Sequence, residues 1–300
     1  MLSPFGFADV REAHRRLKLM AEGTDRVRFS LHVRRAFFGL APALLRFVGE
    51  SPDPDMALRY IEDFVSKVGA RILYYTMFHE NPLIIVLLAK LCGTSRFLAE
   101  LLIAPPESFD VLTVSVVINN PKTLSEKQTE TLQLIADVTA DWVFRVLWQY
   151  KNGEVLRIWM RNILGQADLW TTIAELSGLA ETTLQTTCAH ICKKFQTEHG
   201  VPLDKNGTEV TFAVISMGEF GGRELNFSSN LDLMYVYSAE GETTRGMSNA
   251  DYFSKLGLEL VNRLRENTGD STTYELDLRL RPFGKGGAIV LSLVAYQNYL

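Results

Sequence analysis

The chain has 300 residues, of which 47% are hydrophobic, and its 31 basic and 35 acidic residues give a formal net charge of −4. This size supports one large or two medium globular domains. The slight acidic excess argues against nucleic acid as a partner, because nucleic-acid binding requires a basic surface. The three cysteines, Cys92, Cys188 and Cys192, are too few and too scattered for a disulfide framework and predict reduced thiols.

No stretch of the sequence predicts a membrane partner. The N-terminal segment lacks the continuous apolar core of a signal peptide. The longest apolar run, "PLIIVLLAKLCG", contains Lys90 and is shorter than the roughly 20 residues that a membrane span needs. The sequence therefore predicts a cytoplasmic protein.

Residues 1–200 have the apolar spacing of successive amphipathic helices. Within this region, residues 123–152 predict one long amphipathic helix that ends near "KNGE". Gly165 and Gly178 then predict breaks between the helices that follow.

The pattern changes at about residue 201. "TEVTFAVISMG" and "LDLMYVYS" are short runs rich in strand-forming residues, and "SNADYFSKLGLELVNRLREN" carries the apolar stripe of a helix. In "TTYELDLRLRP", apolar and charged residues alternate from Tyr274 to Arg281, which is the period of a strand. We therefore predict an α+β protein. A helical region, residues 1–200, precedes a strand–loop–strand–helix–strand region, residues 201–300.

Asn230 and Asp232 lie two residues apart at the start of the second predicted strand, so their side chains point to the same face. A strand placed beside this one would bring Asp277 into the same cluster. Carboxylate and carbonyl oxygens are ligands that magnesium accepts, and magnesium serves phosphoryl chemistry by neutralising charge. The sequence thus predicts a magnesium site formed by Asn230, Asp232 and Asp277.

Other residues near these positions suit the phosphates of a nucleotide. Glycine allows close backbone approach, hydroxyl groups donate hydrogen bonds, and guanidinium groups pair with phosphate oxygens. The candidates of these kinds are Gly221 and Gly222, Ser228 and Ser229, and Arg279 and Arg281. Each feature alone is more often a turn, a capped strand end or a solvated strand face. Their order along one segment favours a nucleotide site.

Two segments, "GEFGGRELNFSSNLDLMYVYS" and "YELDLRLRPFGKGGAIVLSLVAYQNYL", resemble the bacterial glutamine synthetase adenylyltransferases, which are bifunctional adenylyl-transferring and adenylyl-removing enzymes. The helical part, including "GTSRFLAELLIAPPESFD", resembles the region before a catalytic domain of that family. The resemblance implies a nucleotidyltransferase domain of the DNA polymerase β type that uses ATP and magnesium. It also implies transfer of AMP to a tyrosine of glutamine synthetase, or its removal by phosphorolysis, under control of glutamine and the PII signal protein.

The resemblance assigns roles residue by residue. Asp232 matches the second metal-binding aspartate of the strand pair and Asp277 matches the third carboxylate, so these two are the candidate catalytic residues. The nucleotide-binding positions that match are Gly221, Gly222, Ser228 and Ser229 in the phosphate-side turn, and Arg279 and Arg281 after the third acid.

The sequence departs from the family pattern at two positions of the site. Asn230 stands where the family has its first aspartate, and Glu219 stands where it usually has lysine. Family members are also considerably longer and carry two such domains in tandem. The chain is therefore expected to be a fragment, a truncated reading frame or a degenerate relative, with a catalytic domain that is incomplete at its C-terminus. Such a chain should expose apolar surface.

Three functions stay open from the sequence. The first is an adenylyltransferase or adenylyl-removing enzyme whose activity is reduced, because a neutral amide at Asn230 removes one negative charge from the magnesium ligands. The second is a pseudo-nucleotidyltransferase that binds partners without turnover. The third is a related protein uridylyltransferase, a class that shares the strand motif but not the "LRLRPFGKGG" continuation. The direction of the reaction also stays open.

Overall fold

The computed structural model describes five stretches of the chain, residues 2–24, 26–103, 120–140, 142–265 and 274–299. The chain divides into two compact units, residues 1–118 and 119–300. The predicted α+β class is confirmed, because helices dominate up to His199 and the strands follow from Pro202.

The first unit is a helical bundle. Its described helices are α1 (Val10–Glu22), α2 (Leu31–Gly49), α3 (Pro54–Val68), α4 (Arg71–Glu80), α5 (Pro82–Thr94) and α6 (Arg96–Ile103). Helix α3 shows how the local sequence sets a helix start. The Asp53 carboxylate accepts a hydrogen bond from the Met56 N–H at 2.9 Å, and Pro54 needs no partner for a backbone N–H.

No single helix in the described residues combines the length and the apolar composition needed to cross a membrane. Helices α4 and α5 reach that threshold only as a pair, across a bend of 107°.

The second unit begins with three helices, α7 (Leu124–Ala136), α8 (Val143–Ile163) and α9 (Leu169–His199). The prediction of one helix over residues 123–152 was wrong, because the chain leaves the helix after Ala136 and α8 runs on through "KNGE". Asn152 is fully buried inside α8, so tertiary packing outweighs the turn preference of the Asn-Gly pair.

The two glycines predicted to break helices behave differently. Gly165 adopts a φ of +70° and separates α8 from α9 as predicted. Gly178 instead lies inside the 31-residue helix α9, where an added Cβ would come no closer than 3.9 Å to Lys127 Nζ. Glycine is therefore not a break at this position, because the neighbouring helices hold the backbone in helical form.

Two sheets follow the helices. The smaller sheet pairs β1 (Pro202–Asp204) with β4 (Gly241–Thr243) in antiparallel fashion. The larger, four-stranded sheet consists of β2 (Phe212–Met217), β3 (Leu231–Tyr237), β5 (Leu276–Asp277) and β6 (Val290–Ser292). Strand β3 is central, because β2 pairs antiparallel along one edge while β5 and then β6 pair parallel along the other. The remaining helices are α10 (Gly218–Gly221), α11 (Asn249–Arg265) and α12 (Leu293–Tyr299).

One face of β3 packs against α11. The Tyr237 and Phe253 rings stack with centroids 4.9 Å apart. Gly257 permits the helix to approach the sheet closely, since a Cβ there would lie 2.4 Å from Val290 Cγ2 and 3.8 Å from Tyr235 Cδ2. This packing fixes the face of β3 opposite to the one that carries Asp232.

Helices give way to strands after His199, and α7, α8 and α9 belong to the same compact unit as the sheets. The strand predicted from Tyr274 to Arg281 is limited to Leu276–Asp277. The Arg279 N–H donates to the Asp277 carboxylate at 2.8 Å, and this local turn leads the chain away from the sheet. Residues 266–273, including the start of the "TTYELDLRLRP" segment, lie outside the described residues.

Candidate functional site

The two candidate catalytic aspartates lie side by side on neighbouring strands. Asp232 is the second residue of β3 and Asp277 is the last residue of β5, and the two are register partners in the parallel pair. Register partners on adjacent strands are roughly 4.8 Å apart and point to the same face. The structure therefore brings these carboxylates together, as a shared metal site requires.

Negative charge is concentrated at Asp232. Burial raises the pKa of the Asp232 carboxyl, and the charges of Asp277 and Glu219 add to the rise, while Arg279 opposes it. The negative charge of Asp277 is compensated directly by Arg279, because Arg279 Nε donates to Asp277 Oδ2 at 2.8 Å and to Oδ1 at 3.0 Å. The Asp277 side chain is 14% exposed, whereas that of Arg279 is 69% exposed. The guanidinium thus lies on the solvent side of the acids.

Asn230 lies directly before β3 and faces Asp232. Its Nδ2 donates to Asp232 Oδ1 at 3.3 Å. No group of three or more His, Cys, Asp or Glu side chains within the described ranges is arranged to hold a metal ion. Two carboxylates and one amide oxygen still fit magnesium, which usually binds through one or two carboxylates while water and substrate phosphates complete its ligands. Burial is the main cause of the raised pKa of Asp232, the charges of Asp277 and Glu219 add to it, and a cation bound here would stabilise the ionised carboxylate.

Two glycines around α10 are required by close packing. Gly218 has a φ of +55°, and a Cβ at this position would lie 2.2 Å from Asp232 Oδ2. A Cβ at Gly221 would lie 2.7 Å from the Ser216 carbonyl oxygen. Gly222 differs, since its Cβ would meet only the Glu224 side chain at 3.4 Å and its N–H already donates to the Gly218 carbonyl. Of the predicted pair, Gly221 is therefore the one that the backbone geometry demands.

The two predicted serines belong to a hydrogen-bonded turn next to the acids. Ser228 Oγ and the Ser228 N–H both donate to Asn226 Oδ1 at 2.8 Å. Ser229 Oγ donates to Glu219 and accepts from the Asn226 N–H at 2.9 Å. Glu219 was predicted only as a departure from a family pattern. In the structure it organises this turn and adds to the charge at Asp232. Its place directly after β2, in the turn that faces β3, is the sequence signal that could have identified it.

The two predicted arginines have different surroundings. Arg279 pairs with Asp277 and so lies at the acids. Arg281 donates from Nη1 to the Leu278 carbonyl at 2.7 Å and from Nε to the Gly287 carbonyl at 3.3 Å. These two bonds hold the loop after β5 closed. The described contacts of Arg281 therefore stabilise the loop beside the site.

Helix α9 supports the turn that carries the glycines and serines. Ser177 Oγ accepts a hydrogen bond from the Leu225 N–H at 3.3 Å, and Glu181 pairs with Arg223 Nη1 at 3.1 Å. Arg223 itself has a φ of +58°, a left-handed conformation that costs free energy and that this ion pair helps to hold. The turn is thus fixed from the helix as well as from the sheet.

A buried ionic cluster fixes α9 in turn. Glu175 of α9 accepts hydrogen bonds from Arg157 Nη2 at 2.6 Å and from Arg161, both on α8, and the arginine side chains are 1% and 2% exposed. Glu154 accepts a further bond from Arg157 Nε at 3.0 Å. Removing one member of such a cluster leaves an uncompensated buried charge, so the cluster ties α8 to α9.

Comparison with known proteins identifies the relatives of this chain. A model of the family described as glutamate-ammonia ligase adenylyltransferase matches residues 85–300. The bifunctional glutamine synthetase adenylyltransferase/adenylyl-removing enzyme of Thioalkalivibrio sulfidiphilus is 28% identical, over 100% of this chain and 32% of that protein. The enzymes of the same name from Psychromonas ingrahamii and Shewanella oneidensis are 31% and 32% identical, over 82% and 71% of this chain and 26% and 22% of theirs. The chain thus spans a third or less of the length of these relatives.

Proposed function

The chain belongs to the glutamate-ammonia ligase adenylyltransferase family, and on this premise we propose that it carries one nucleotidyl-transfer site for adenylylating or deadenylylating glutamine synthetase. The observation that supports this most strongly is the register pairing of Asp232 with Asp277, beside a turn whose glycine at 218 packs against Asp232. A carboxylate pair next to a close backbone turn suits a metal-bound phosphate chain.

The proposed chemistry runs in one of two directions. In the forward direction a tyrosine oxygen of glutamine synthetase bonds to the α-phosphorus of ATP, the bond to pyrophosphate breaks and the hydroxyl proton is lost. In the reverse direction a phosphate oxygen attacks the phosphorus of the adenylylated tyrosine, giving ADP, and the tyrosine oxygen leaves and takes up a proton. Both are phosphoryl transfers that depend on positioning and charge stabilisation.

Each residue of the site has a proposed task. Asp232, Asp277 and Asn230 would hold magnesium, which when bound neutralises phosphate charge. The turn of Ser228 and Ser229 would face the phosphates with its hydroxyl groups. Arg279, exposed and next to Asp277, would swing toward a phosphate oxygen.

We also propose that turnover is slow. Asn230 contacts Asp232 and is uncharged, so the metal loses one negative ligand. Each loss of about 1.4 kcal/mol in transition-state stabilisation lowers the rate tenfold, and a missing charge at such short range costs more than this. Binding of glutamine synthetase without efficient turnover is therefore the second candidate function. Regulation by glutamine and the PII signal protein, and a cytoplasmic location, stay predictions.

The test measures AMP transfer in both directions. The chain is incubated with magnesium, ATP labelled in its α-phosphate and unmodified glutamine synthetase, and separately with phosphate and adenylylated glutamine synthetase. We expect slow, magnesium-dependent transfer in one direction. Asp232→Ala should abolish it, and the matched control Asp137→Ala, an exposed residue at the end of α7, should not. The proposal would be refuted if the chain transferred no AMP in either direction and bound neither form of glutamine synthetase.

A further inference from the structure

Glu219 is a third carboxylate beside the two aspartates of the site. It directly follows Gly218, where a Cβ would lie 2.2 Å from Asp232 Oδ2, so α10 begins against this carboxylate. Burial raises the pKa of the Asp232 carboxyl, and the charges of Asp277 and Glu219 add to the rise. The charge of Glu219 therefore acts on the pair that is proposed to hold the metal.

Glu219 also closes the turn that carries the two serines. Its carboxylate accepts a hydrogen bond from Ser229 Oγ and a longer one, at 3.4 Å, from Asn226 Nδ2. An ionised carboxylate only accepts hydrogen bonds, so the Ser229 hydroxyl must direct its hydrogen toward Glu219. Both contacts are with neutral groups, which leaves Glu219 without an ion-pair partner among the residues that the structure describes.

The contact between Ser229 and Glu219 decides what this turn can offer to a phosphate group. A hydroxyl group has one hydrogen, so Ser229 cannot donate to a phosphate oxygen while it donates to Glu219. The carboxylate itself repels phosphate, because both groups are anions. The turn in this arrangement is therefore closed to an anion, although Ser229 is only three residues from Asp232.

A cation at the acids would reverse both effects. The Glu219 side chain is exposed, so its carboxylate can turn toward a positive charge held by Asp232 and Asp277. Magnesium keeps several water ligands, and a carboxylate near the ion accepts hydrogen bonds from such ligands. Once Glu219 has turned, the Ser229 hydroxyl is free to donate to a phosphate oxygen.

We propose that Glu219 couples phosphate binding to cation binding. Without a cation it holds the Ser229 hydroxyl and repels phosphate, and with a cation it releases that hydroxyl. This inference rests on the proposed function, because it concerns the same nucleotide site. Glu219 is a positioning residue here, since it acts on phosphate through Ser229 and through its charge. It makes the site select a nucleotide that is accompanied by a divalent cation.

Equilibrium binding of ATP to the chain tests this coupling. Dissociation constants are measured with excess magnesium and with a chelator, for the unsubstituted chain and for Glu219→Gln, which removes the charge and keeps an acceptor for Ser229. We expect Glu219→Gln to tighten binding of metal-free ATP by about fivefold to tenfold, so that the gain in affinity from magnesium becomes smaller. The matched control is Glu242→Gln, an exposed position of β4 after the end of β3 that lies away from Asp232, and it should change neither constant.

Replacing Ser229 gives a second readout that a change of charge does not predict. We expect Ser229→Ala to weaken binding of ATP with magnesium by about threefold to tenfold, because a hydrogen bond to phosphate is lost. The same variant should bind metal-free ATP within about twofold of the unsubstituted chain, because there the hydroxyl is held by Glu219. In a Glu219→Ala background, where the hydroxyl is no longer held, Ser229→Ala should weaken metal-free ATP by about threefold.

The outcomes separate this inference from the proposed function. If ATP binds and Glu219→Gln leaves the effect of magnesium unchanged, the coupling alone is overturned. It is also overturned if Ser229→Ala weakens ATP equally with and without magnesium. If the unsubstituted chain binds no ATP in either condition, the proposed nucleotide site is overturned together with the coupling. Should Glu219→Gln fail to fold, the two measurements on Ser229→Ala decide.

Discussion

Replacing Asn230 by aspartate should create a stronger magnesium site and weaken the metal-free protein at the same time. The Asn230 amide now donates to Asp232 at 3.3 Å, so Asn230→Asp exchanges a hydrogen bond for a contact between two carboxylates. Asp232 already has a raised pKa because of burial and the charges of Asp277 and Glu219. A further negative charge must therefore raise this pKa more and disfavour the ionised, metal-free site.

The size of both effects follows from the geometry. Two unit charges about 4 Å apart repel by about 4 kcal/mol at an effective dielectric constant near 20. Solvent and partial protonation relieve much of this at a half-buried site, so we expect a net loss of about 1–2 kcal/mol without metal. If magnesium binds the folded protein with a dissociation constant of about 1 mM, about 10 mM magnesium raises the free energy of unfolding by about 1.4 kcal/mol. This corresponds to a rise of about 3–5 °C in the melting temperature of a unit of this size.

Thermal unfolding with and without magnesium measures these effects, and AMP transfer to glutamine synthetase is followed in parallel. The matched control is Asn206→Asp, because the Asn206 amide lies 3.5 Å from Asp204 on an exposed loop away from the site. Only Asn230→Asp should gain a magnesium-dependent melting temperature and faster transfer. If both variants respond equally to magnesium, or if Asn230→Asp does not respond, residue 230 does not face the metal and the site assignment is wrong.

Three further predictions concern the support of the site. Gly218→Ala should destabilise the second unit by more than Gly207→Ala. Both glycines have a positive φ, but a Cβ at Gly218 would lie 2.2 Å from a carboxylate oxygen, whereas a Cβ at Gly207 would have nothing within 4 Å. The melting temperatures of the two variants measure the difference. Burial lowers the pKa of Lys151 to about 8, so above this pH the unfolded chain binds more protons than the folded chain. The free energy of unfolding should therefore rise by up to about 1.4 kcal/mol per pH unit between about pH 8 and 10, and chemical denaturation should show no such rise for Lys151→Met. Glu175→Gln should cost about 3–5 kcal/mol of unfolding free energy because it leaves buried arginine charge uncompensated. Glu259→Gln, in a partly exposed pair with Arg263 on one helix, should cost less, about 1 kcal/mol. Equal losses from the two glutamine variants would contradict the assigned importance of the buried cluster.

The sequence was most informative where a pattern is strictly local. The alternation of apolar and polar residues sets which face of a strand a side chain occupies, and it puts Asp232 and Asp277 on the same face once their strands are assumed to be neighbours. The structure supplies the pairing and the register of the two strands. The same reasoning could not find Glu219. Its approach to Asp232 depends on the sharp backbone turn at Gly218, and that turn is specified by packing against β3.

The errors arose where tertiary packing outweighs local preference. Asn152 and the glycine after it predicted a helix end, yet α8 continues through them because its interior is buried on several sides. The alternating segment after Tyr274 predicted a long strand. Instead, the Arg279 backbone N–H donates to the Asp277 carboxylate and the Arg281 side chain donates to the Leu278 carbonyl where the chain turns out of the sheet, and a period-two pattern alone cannot reveal such bonds.

The apolar side chains near the C-terminus make the behaviour of the purified chain predictable as well. Phe283, Leu293 and Val294 are exposed, with Phe283 at 70%. Exposed apolar patches favour association, so the chain should bind a hydrophobic dye and should self-associate as its concentration rises. Clean monomeric behaviour without dye binding would contradict this expectation.

The length of α9 determines how the protein can be dissected. A helix of 31 residues extends about 46 Å, and this one connects the buried ionic cluster to the turn beside the acids. A truncation that began at residue 201 would remove the helical wall behind β2 and expose the Phe212 and Tyr235 rings to water. The smallest fragment that folds on its own and retains the acids should therefore start before α7. The helices and the sheet of the second unit can then be transferred between proteins, by evolution or by design, only together.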